Sequence, residues 1–174
     1  MQMTDQILIR PALRADLPSL VDIYNHYVRE TPVTFDTDPF TVDAREAWFS
    51  SFSKDGPHRL LVATRGGAVR GYASSTCFKA RKAYDVSVET TIYLDPGSIG
   101  SGIGFALYGA LVAELIADPR LHRAYGGIAL PNDASVALHE KLGFEHVGTY
   151  REVGRKFDRY WDVAWFEKDL SGAS

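Results

Sequence analysis

The order of hydrophobic and polar residues divides the chain into seven predicted strands and four predicted helices. Their order is strand, two helices, three strands, helix, strand, helix and two strands, which indicates a mixed α/β fold. The predicted strands span 7–10, 59–64, 69–77, 86–94, 123–129, 144–151 and 160–166. Because no repeat or long linker interrupts this series, we expect one domain over residues 1–170 and a frayed tail at 171–174.

The predicted helices have recognisable ends. Asp16 stands at the N-cap position of the first helix, which should end before Pro32 because the residue before a proline disfavours the α region. Thr41 caps the second helix. The last helix should begin at Asn132 and end just before Gly143, since glycine is the preferred residue after a helix C-terminus.

The strand at 86–94 contains one charged residue, Glu89. Strand alternation assigns its residues to two faces, with Val86, Val88, Thr90, Ile92 and Leu94 on one and Ser87, Glu89, Thr91 and Tyr93 on the other. A carboxylate in this position can take a proton from a bound nucleophile, directly or through water. Glu89 is therefore a candidate general base, and a solvent-facing carboxylate on an edge strand is the alternative.

Composition and charge narrow the function classes. The 174 residues are 45% hydrophobic and 24% charged, which excludes intrinsic disorder, and the net charge of −3 argues against a nucleic-acid partner. No apolar run approaches the ~18 residues of a membrane span, and the N-terminus lacks signal-peptide features. A single cysteine, Cys77, fits a reducing cytoplasm, and the histidines show no metal-ligand spacing. We expect a cytoplasmic protein with no metal and no membrane partner.

A glycine-rich segment opens the third helix, which should run from 103 to 115. The segment reads Gly100, Ser101, Gly102, Ile103 and Gly104. The first turn of a helix has N–H groups without intrahelical partners, and glycine lets a phosphate approach them without a Cβ clash. We expect a pyrophosphate-bearing cofactor here, with a flexible turn as the alternative.

Two common phosphate-binding motifs do not fit this segment. A P-loop needs Gly-Lys-Ser/Thr, whereas Phe105-Ala106 follows the last glycine. A dinucleotide fingerprint needs an acid at the end of the next strand, but Glu114 and Asp118 lie in or just after the helix. A nicotinamide or flavin site is therefore disfavoured.

Several longer segments resemble the GNAT superfamily of N-acetyltransferases. The resemblance runs over nearly the whole chain, and within the superfamily it is with the phosphinothricin and methionine sulfone/sulfoximine acetyltransferase group. The segments that carry it are 23–28, 33–35, 79–85, 88–94, 130–135 and 139–144. The resemblance implies a GNAT fold, with a mixed central sheet, a splayed strand pair and helices on both faces. It also implies acetyl-CoA as cosubstrate and a homodimer.

The resemblance also implies roles for individual residues. Glu89 is the expected base, and a backbone N–H from a bulged strand at 91–93 is expected to stabilise the oxyanion. His139 matches a position where many members have tyrosine, so His139 or Tyr108 is the candidate proton donor to the leaving thiolate, and core packing is the alternative for both. The residues expected to bind acetyl-CoA are Thr91, Ile92, Tyr93, Leu94, Gly100, Ser101, Gly102, Ile103, Gly104, Phe105 and Asn132.

One position departs from the family pattern. The phosphate loop of the family usually begins with Arg or Gln, and the matching residue here is Ile99. An aliphatic side chain cannot attract phosphate, so the backbone N–H groups must do most of the binding. We therefore expect a lower affinity for coenzyme A at an unchanged location.

The expected acceptor is a small amine. Lys79 and Arg81 can hold a carboxylate, phosphinate or sulfone oxygen, and the alternative is a solvated basic loop. Phe35 and Tyr84 are candidate walls of the acceptor pocket, and Thr90 and Glu89 complete the set. The expected reaction is acetyl transfer from acetyl-CoA to the primary amine of an amino-acid-like acceptor such as phosphinothricin or methionine sulfone/sulfoximine.

Three alternatives remain at this point. The acceptor can be a polyamine, an aminoglycoside or a protein N-terminus, although Lys79 and Arg81 should repel a polycation. The chain can be a coenzyme A-binding module without turnover, an alternative that Ile99 keeps open. A nucleotide- or nicotinamide-binding protein is the third.

The C-terminal segment is rich in aromatic residues. We expect it to supply the dimer interface through Tyr160, Trp161, Trp165 and Phe166. Arg155 and Lys156 are expected in the turn of the last hairpin, where both can face solvent.

Overall fold

A seven-stranded mixed sheet forms the centre of the structure. The computed structural model describes residues 6–172, so residues 1–5, where no signal peptide is expected, and the last two residues of the predicted tail lie outside it. The strands are β1 (Leu8–Pro11), β2 (Leu60–Arg65), β3 (Ala68–Cys77), β4 (Ser87–Leu94), β5 (Arg123–Ala129), β6 (Glu145–Lys156) and β7 (Arg159–Asp169). Their spatial order is β1-β2-β3-β4-β5-β7-β6, and the predicted mixed sheet is confirmed.

Helices cover both faces of the sheet. They are α1 (Leu17–Glu30), α2 (Glu46–Ser50), α3 (Ile103–Ile116) and α4 (Asp133–Lys141), with short 3-10 turns at Arg14–Asp16, Asp43–Arg45, Lys82–Tyr84 and Pro96–Ser98. Alternation along β2 separates two cores, because Val62 packs with Leu20 of α1 and Ala63 packs with Leu107 of α3. Burying a side chain such as Leu107 contributes roughly 1.5–3 kcal/mol, so both layers are held mainly by apolar burial. No helix in the described part of the chain is long and apolar enough to cross a bilayer.

The centre of the sheet opens between β4 and β5. These two strands are parallel and pair only from Ser87 with Arg123 to Glu89 with Tyr125, after which they diverge. The predicted splayed pair is confirmed. The expected bulge in β4 is wrong, because β4 keeps an unshifted register with β3 from Leu94 to Val88. The β5-facing edge of β4 is therefore exposed by divergence of the neighbouring strand.

The ends of α1 and α4 follow the sequence pattern, whereas the start of α2 does not. The prediction that Thr41 caps the second helix is wrong, because α2 begins at Glu46 with Arg45 as its N-cap. The Thr41 hydroxyl instead accepts a hydrogen bond from the Ala44 amide in the preceding 3-10 turn at 3.2 Å.

Helix α1 ends at Glu30, ahead of Pro32, and Gly143 has a φ of +78° directly after α4 and its C-cap. Asp16 is the N-cap residue of α1, as predicted, although its carboxylate makes no hydrogen bond to the helix amides. Its carboxylate instead accepts two hydrogen bonds from Arg10, at 2.7 and 2.9 Å, because a bidentate guanidinium is a stronger partner than a helix amide.

The terminal hairpin is longer than predicted. Strand β6 continues to Lys156 and the turn lies at Phe157-Asp158, which both have positive φ. Lys156 is consequently buried at the end of a strand rather than exposed in a turn, and only Arg155 faces solvent. Beyond the hairpin, the amide and hydroxyl of Ser171 donate hydrogen bonds to Asp169.

Candidate active site

The opening between β4 and β5 is a cleft through the sheet. Its walls are residues 90–93 of β4 and 127–129 of β5, with Asn132, Ser135 and His139 closing one end. Val33, from the loop after α1, covers it from the other face of the sheet. The divergence of two central strands thus leaves backbone groups and side chains from three layers facing one narrow space.

Glu89 lies where the two strands separate. It is the last β4 residue paired with β5, directly opposite Tyr125. It is half-buried, and burial raises the pKa of its carboxyl above the ordinary value. Desolvation disfavours the charged form, so this carboxylate binds a proton more tightly than an exposed glutamate does. The location and the pKa shift suit a general base.

Aromatic rings surround the face of the sheet that carries Glu89. The ring of Phe78 stacks on that of Tyr125, with centroids 4.4 Å apart. The centroid of Tyr84 lies 6.0 Å from the Phe78 centroid, and that of Trp165 lies 6.2 Å from it. The ammonium of Lys79 lies 5.1 Å from the Phe78 ring and 5.3 Å from the Tyr84 ring, at cation–π distance. We call Phe78, Tyr84, Tyr125 and Trp165 the aromatic box.

The opposite face of the sheet carries a buried hydrogen-bonded chain. The His139 Nδ1 atom lies 2.8 Å from the Ser135 carbonyl, and Nε2 lies 3.0 Å from the Tyr108 hydroxyl. Because a carbonyl only accepts, we assign the proton of the neutral ring to Nδ1, and Tyr108 then donates to Nε2. The Thr90 hydroxyl lies 2.7 Å from the Tyr108 oxygen and 3.1 Å from the Tyr125 carbonyl, so its single proton is shared between these two acceptors. The chain joins α3 and α4 to both strands of the cleft.

Burial sets the protonation states of this chain. It lowers the pKa of His139, which favours the neutral imidazole, and raises the pKa of Tyr108 well above its ordinary value, so the phenol keeps its proton. Tyr108 is fully buried, whereas His139 lies on the wall of the cleft. His139 is therefore the member of the pair that faces the cleft, and Tyr108 contacts it from behind.

A glycine in β5 makes room for His139. A Cβ atom at Gly126 would lie 2.6 Å from His139 Nε2 and 3.6 Å from the Tyr108 hydroxyl. The imidazole can therefore lie against the strand only because position 126 has no side chain. Sequence reasoning missed Gly126, although a Gly-Gly pair inside a predicted strand is a signal of close approach.

The glycine-rich segment divides into two functional parts. Gly100 and Gly102 have φ of +79° and +81°, and a Cβ atom at either would meet open space. Ile103 is in the core, and Gly104 packs against Leu94, where a Cβ atom would lie 3.2 Å from Cδ1. Only the first part, with the free N–H groups of the first α3 turn, is open to a phosphate.

Other residues expected near the cofactor have local partners. The Ser101 hydroxyl donates to the Ser98 carbonyl at 2.6 Å, and Ile99 is 57% exposed. The exposed Phe105 ring lies 4.3 Å from the ammonium of Lys141. Asn132 caps α4, as predicted, by accepting a hydrogen bond from the Ser135 amide at 3.2 Å.

Phe35 follows Val33 in the loop after α1, and it does not line the cleft itself. Its ring rests against Gly154 of β6, since a Cβ atom there would lie within 2.2 Å of the ring. Arg81 is exposed, at the start of the short turn that carries Tyr84. Among residues 6–172, no cluster of three His, Cys, Asp or Glu side chains has the arrangement of a metal site.

A comparison with known protein families is consistent with this cleft and fold. Residues 9–165 match the family described as Acetyltransferase (GNAT) domain. The chain belongs to the GNAT acetyltransferase family. A phosphinothricin N-acetyltransferase of Streptomyces coelicolor is 56% identical over 96% of this chain and 98% of its own. An L-methionine sulfoximine/L-methionine sulfone acetyltransferase of Pseudomonas aeruginosa is 34% identical over 93% and 94%.

A solved structure resembles this acetyltransferase closely. It is a GNAT superfamily phosphinothricin acetyltransferase of Sinorhizobium meliloti in complex with acetyl-CoA, with 34% identity, a TM-score of 0.89 and coverage of 94% of this chain and 88% of its own. The fold expected from the sequence is therefore confirmed.

In this acetyltransferase, the predicted site residues separate into groups. Glu89 pairs with Tyr125 of the aromatic box, which also includes Tyr84 and holds Lys79, while Thr90, Tyr108 and His139 form the buried chain. Sequence reasoning missed Phe78, Tyr125 and Gly126, and it assigned Trp165 to an interface rather than to the aromatic box. Finding them needed the register of β4 against β5.

Proposed function

We propose that this acetyltransferase transfers the acetyl group of acetyl-CoA to the primary amine of a small amino-acid-like acceptor, such as phosphinothricin or methionine sulfone/sulfoximine. The observation that carries the proposal is a half-buried carboxylate, Glu89, at the point where β4 and β5 part. The names of the relatives in Streptomyces coelicolor and Pseudomonas aeruginosa support the acceptor class.

Glu89 acts as the general base. An amine with a pKa of about 9 is mostly ammonium at pH 7, and reaching the neutral form costs roughly 2.7 kcal/mol at 1.36 kcal/mol per unit. A carboxylate with a raised pKa accepts this proton more readily, directly or through one water. The neutral nitrogen then attacks the thioester carbonyl.

The other face of the cleft serves the leaving group. The backbone N–H of Ile92 points to the edge of β4 from which β5 has diverged, and it stabilises the oxyanion. His139 presents its ring to the thiolate side, and Tyr108 holds that ring in position. The second proton released by the attacking nitrogen neutralises the thiolate, so the leaving group needs no proton stored on the enzyme. Because both ring nitrogens of His139 are hydrogen-bonded, to the Ser135 carbonyl and the Tyr108 hydroxyl, the neutral ring shapes this side of the cleft and does not carry the proton.

The open part of the glycine segment binds the cosubstrate. Acetyl-CoA supplies an activated acyl group and a pyrophosphate. The left-handed, unobstructed backbone at Gly100 and Gly102 fits the close approach of that pyrophosphate to the α3 amides. Asn132, at the start of α4, contacts the pantetheine arm, while the Ile103 side chain and the close approach of Gly104 to Leu94 serve packing.

The aromatic box and its cation bind the acceptor. Lys79, held over Phe78 and Tyr84, faces an acidic group of the acceptor, and Arg81 provides a second cation at the rim. Phe35 closes the pocket from the opposite side. This set disfavours polyamines and aminoglycosides, whose positive charges Lys79 and Arg81 repel.

A thiol-release screen tests this function. Purified protein is incubated with acetyl-CoA and with amino acids, their sulfone, sulfoximine and phosphinate analogues, polyamines, an aminoglycoside and a peptide. We expect free coenzyme A only with the amino-acid-like acceptors. Release with polyamines alone would reject the acceptor class, and acetyl-CoA binding without release from any amine would reject the enzymatic function.

Gly102→Ala should raise the KM for acetyl-CoA about 10-fold, since a Cβ atom occupies the space used by a phosphate. Gly67→Ala, in the β2–β3 turn, is a matched control, because Gly67 has a φ of +80° and equally open surroundings. Both changes should destabilise the fold by about 1–2 kcal/mol through backbone strain. Steady-state kinetics and thermal denaturation separate the effects, and an equal KM shift in the two variants would contradict the phosphate assignment.

We also propose a homodimer of single-domain, cytoplasmic chains. Trp161 and Phe166, expected at the interface, are buried within the chain, so that assignment is wrong for both. Tyr160 is exposed, and so are Tyr150 and Val153 of the edge strand β6, which leaves apolar side chains of the terminal hairpin available to a second copy.

Light scattering after size exclusion should give twice the mass of the chain. Tyr150→Lys should shift the particle toward the mass of a single chain, because it places a charge on the β6 surface. A wild-type particle with the mass of one chain at micromolar concentration would reject the dimer.

A further inference from the structure

A buried lysine from the terminal hairpin reaches the loop that covers the cleft. Lys156 is only 5% exposed, and its ammonium donates a hydrogen bond to the Thr34 carbonyl at 2.8 Å and lies 3.4 Å from the Tyr27 carbonyl. A buried cation normally requires hydrogen-bond acceptors or anions that offset the free-energy cost of its desolvation. The acetyl-transfer chemistry described above does not use this group.

The loop also contains a hydrogen-bond network that includes Thr34, the residue that Lys156 contacts. The Tyr24 hydroxyl donates to the Asp36 carboxylate at 2.5 Å and lies 2.7 Å from the Thr34 hydroxyl. Asp36 is also the anion that interacts electrostatically with Lys156. The loop thus provides the Lys156 ammonium with a hydrogen-bond acceptor, the Thr34 carbonyl, and with a nearby negative charge, Asp36.

Both ends of the loop are tied to α1 by separate contacts. The Thr31 hydroxyl donates to the Tyr27 carbonyl at 3.0 Å. At the other end, the Asn25 amide group exchanges two hydrogen bonds with the backbone of Phe40, at 2.8 and 2.9 Å. The middle of the loop, which carries Val33 and Phe35, is linked to the sheet at Thr34, whose carbonyl accepts from Lys156 and whose side chain hydrogen-bonds with Tyr93 of β4.

The backbone of Lys156 is held by a hydrogen bond across the hairpin. The Trp161 indole donates to the Lys156 carbonyl at 2.9 Å, which holds the backbone on both sides of the turn. Two residues earlier, Gly154 provides the flat surface on which the Phe35 ring rests. The end of β6 therefore contacts the loop in two ways. The Lys156 ammonium binds the Thr34 carbonyl, and the absence of a side chain at Gly154 leaves room for the Phe35 ring.

We propose that Lys156 is a positioning residue for the acceptor, which holds the 31–36 segment so that Val33 covers the cleft and Phe35 closes the acceptor pocket beside Glu89. The proposal rests on the function proposed above, because it takes Phe35 as a wall of the acceptor pocket. Acetyl-CoA approaches along the α3 glycines and β4, which Lys156 does not touch. The loss of the link should therefore affect the acceptor and not the cosubstrate.

Lys156→Met tests the proposal, since methionine retains an apolar stem and removes the donors. We expect the KM for the acceptor to rise about 10-fold, because a charge-assisted link to the loop is lost, with the KM for acetyl-CoA unchanged. Amide hydrogen exchange should accelerate at 31–36 and stay constant in β2 and β3. Arg155→Met is the matched control, since Arg155 is the exposed neighbour of Lys156 in the same strand.

Gly154→Ala is a second variant, which keeps the ammonium and displaces the Phe35 ring. It should also raise the KM for the acceptor alone, and it decides the question if Lys156→Met does not fold. Equal changes in both KM values, or a fall in kcat with both KM values constant, would overturn the proposal. So would unchanged exchange at 31–36. If the wild-type protein acetylates no amine, the proposed function fails, and the exchange experiment still decides whether Lys156 holds the loop.

Discussion

Replacing Glu89 with glutamine should lower kcat/KM for the acceptor by about 100- to 10,000-fold at neutral pH, the usual contribution of a positioned base. Glutamine keeps the size of the side chain and cannot take the amine proton. The deficit should shrink as the pH approaches the pKa of the acceptor, because more of the amine is then already neutral. A pH series of kcat/KM measures this, and an equal loss at every pH would contradict the role of base.

The same substitution should raise the thermal stability at neutral pH. Burial raises the pKa of folded Glu89, so the unfolded chain ionises more readily and the charge destabilises the folded state. This cost is absent below the ordinary glutamate pKa of 4.5 and develops as the pH rises through the folded pKa. Glu145→Gln, at an exposed position in β6, should change neither the activity nor the Tm.

Gly126→Ala should lower kcat by about 100-fold, the penalty of a displacement near 1 Å in a catalytic site. The new Cβ atom would occupy space 2.6 Å from His139 Nε2, so the imidazole must move away from Tyr108 and from the cleft. Gly148→Ala in β6 is the control, because a Cβ atom there meets open space. A Gly126 variant with wild-type kcat would show that the position of His139 is unimportant.

A double-mutant cycle assigns the effect to the imidazole. In a His139→Ala background, the space beside Gly126 is vacated, and Gly126→Ala should then cost little further activity. Fully additive losses would indicate that Gly126 matters for another reason, such as the pairing of β5 with β7. Rapid-mix kinetics with acetyl-CoA in excess measures both variants on the same scale.

Of the two residues whose substitution is described above, Glu89 was predicted from the sequence and Gly126 was not. Glu89 was found because a lone charge interrupts a strand of apolar and hydroxyl residues. Gly126 was not found, since its importance depends on a histidine that follows it by thirteen positions and returns on α4. The expected bulge in β4 was wrong for a related reason, because whether a strand bulges or its neighbour turns away depends on the pairing of both.

Lys156 shows the same limit at the other end of the chain. The sequence around Lys156 predicts a hairpin turn at this position, and a lysine in a turn is normally solvated. The hairpin instead continues until Phe157, which moves Lys156 into a buried strand end beside the Thr34 carbonyl. The length of a hairpin depends on how far its partner strand remains paired, and local composition does not contain that information.

The sequence by itself determined the element order, the open glycine segment, the candidate base and the family. These depend on local periodicity, on backbone preferences and on runs of residues that lie next to one another in the chain. The tertiary structure decided which face each group occupies: the aromatic box with Glu89 on one side of the sheet, and Thr90, Tyr108 and His139 on the other. Side chains distant in sequence meet only after strand register and helix packing are set, and both are properties of the folded chain as a whole.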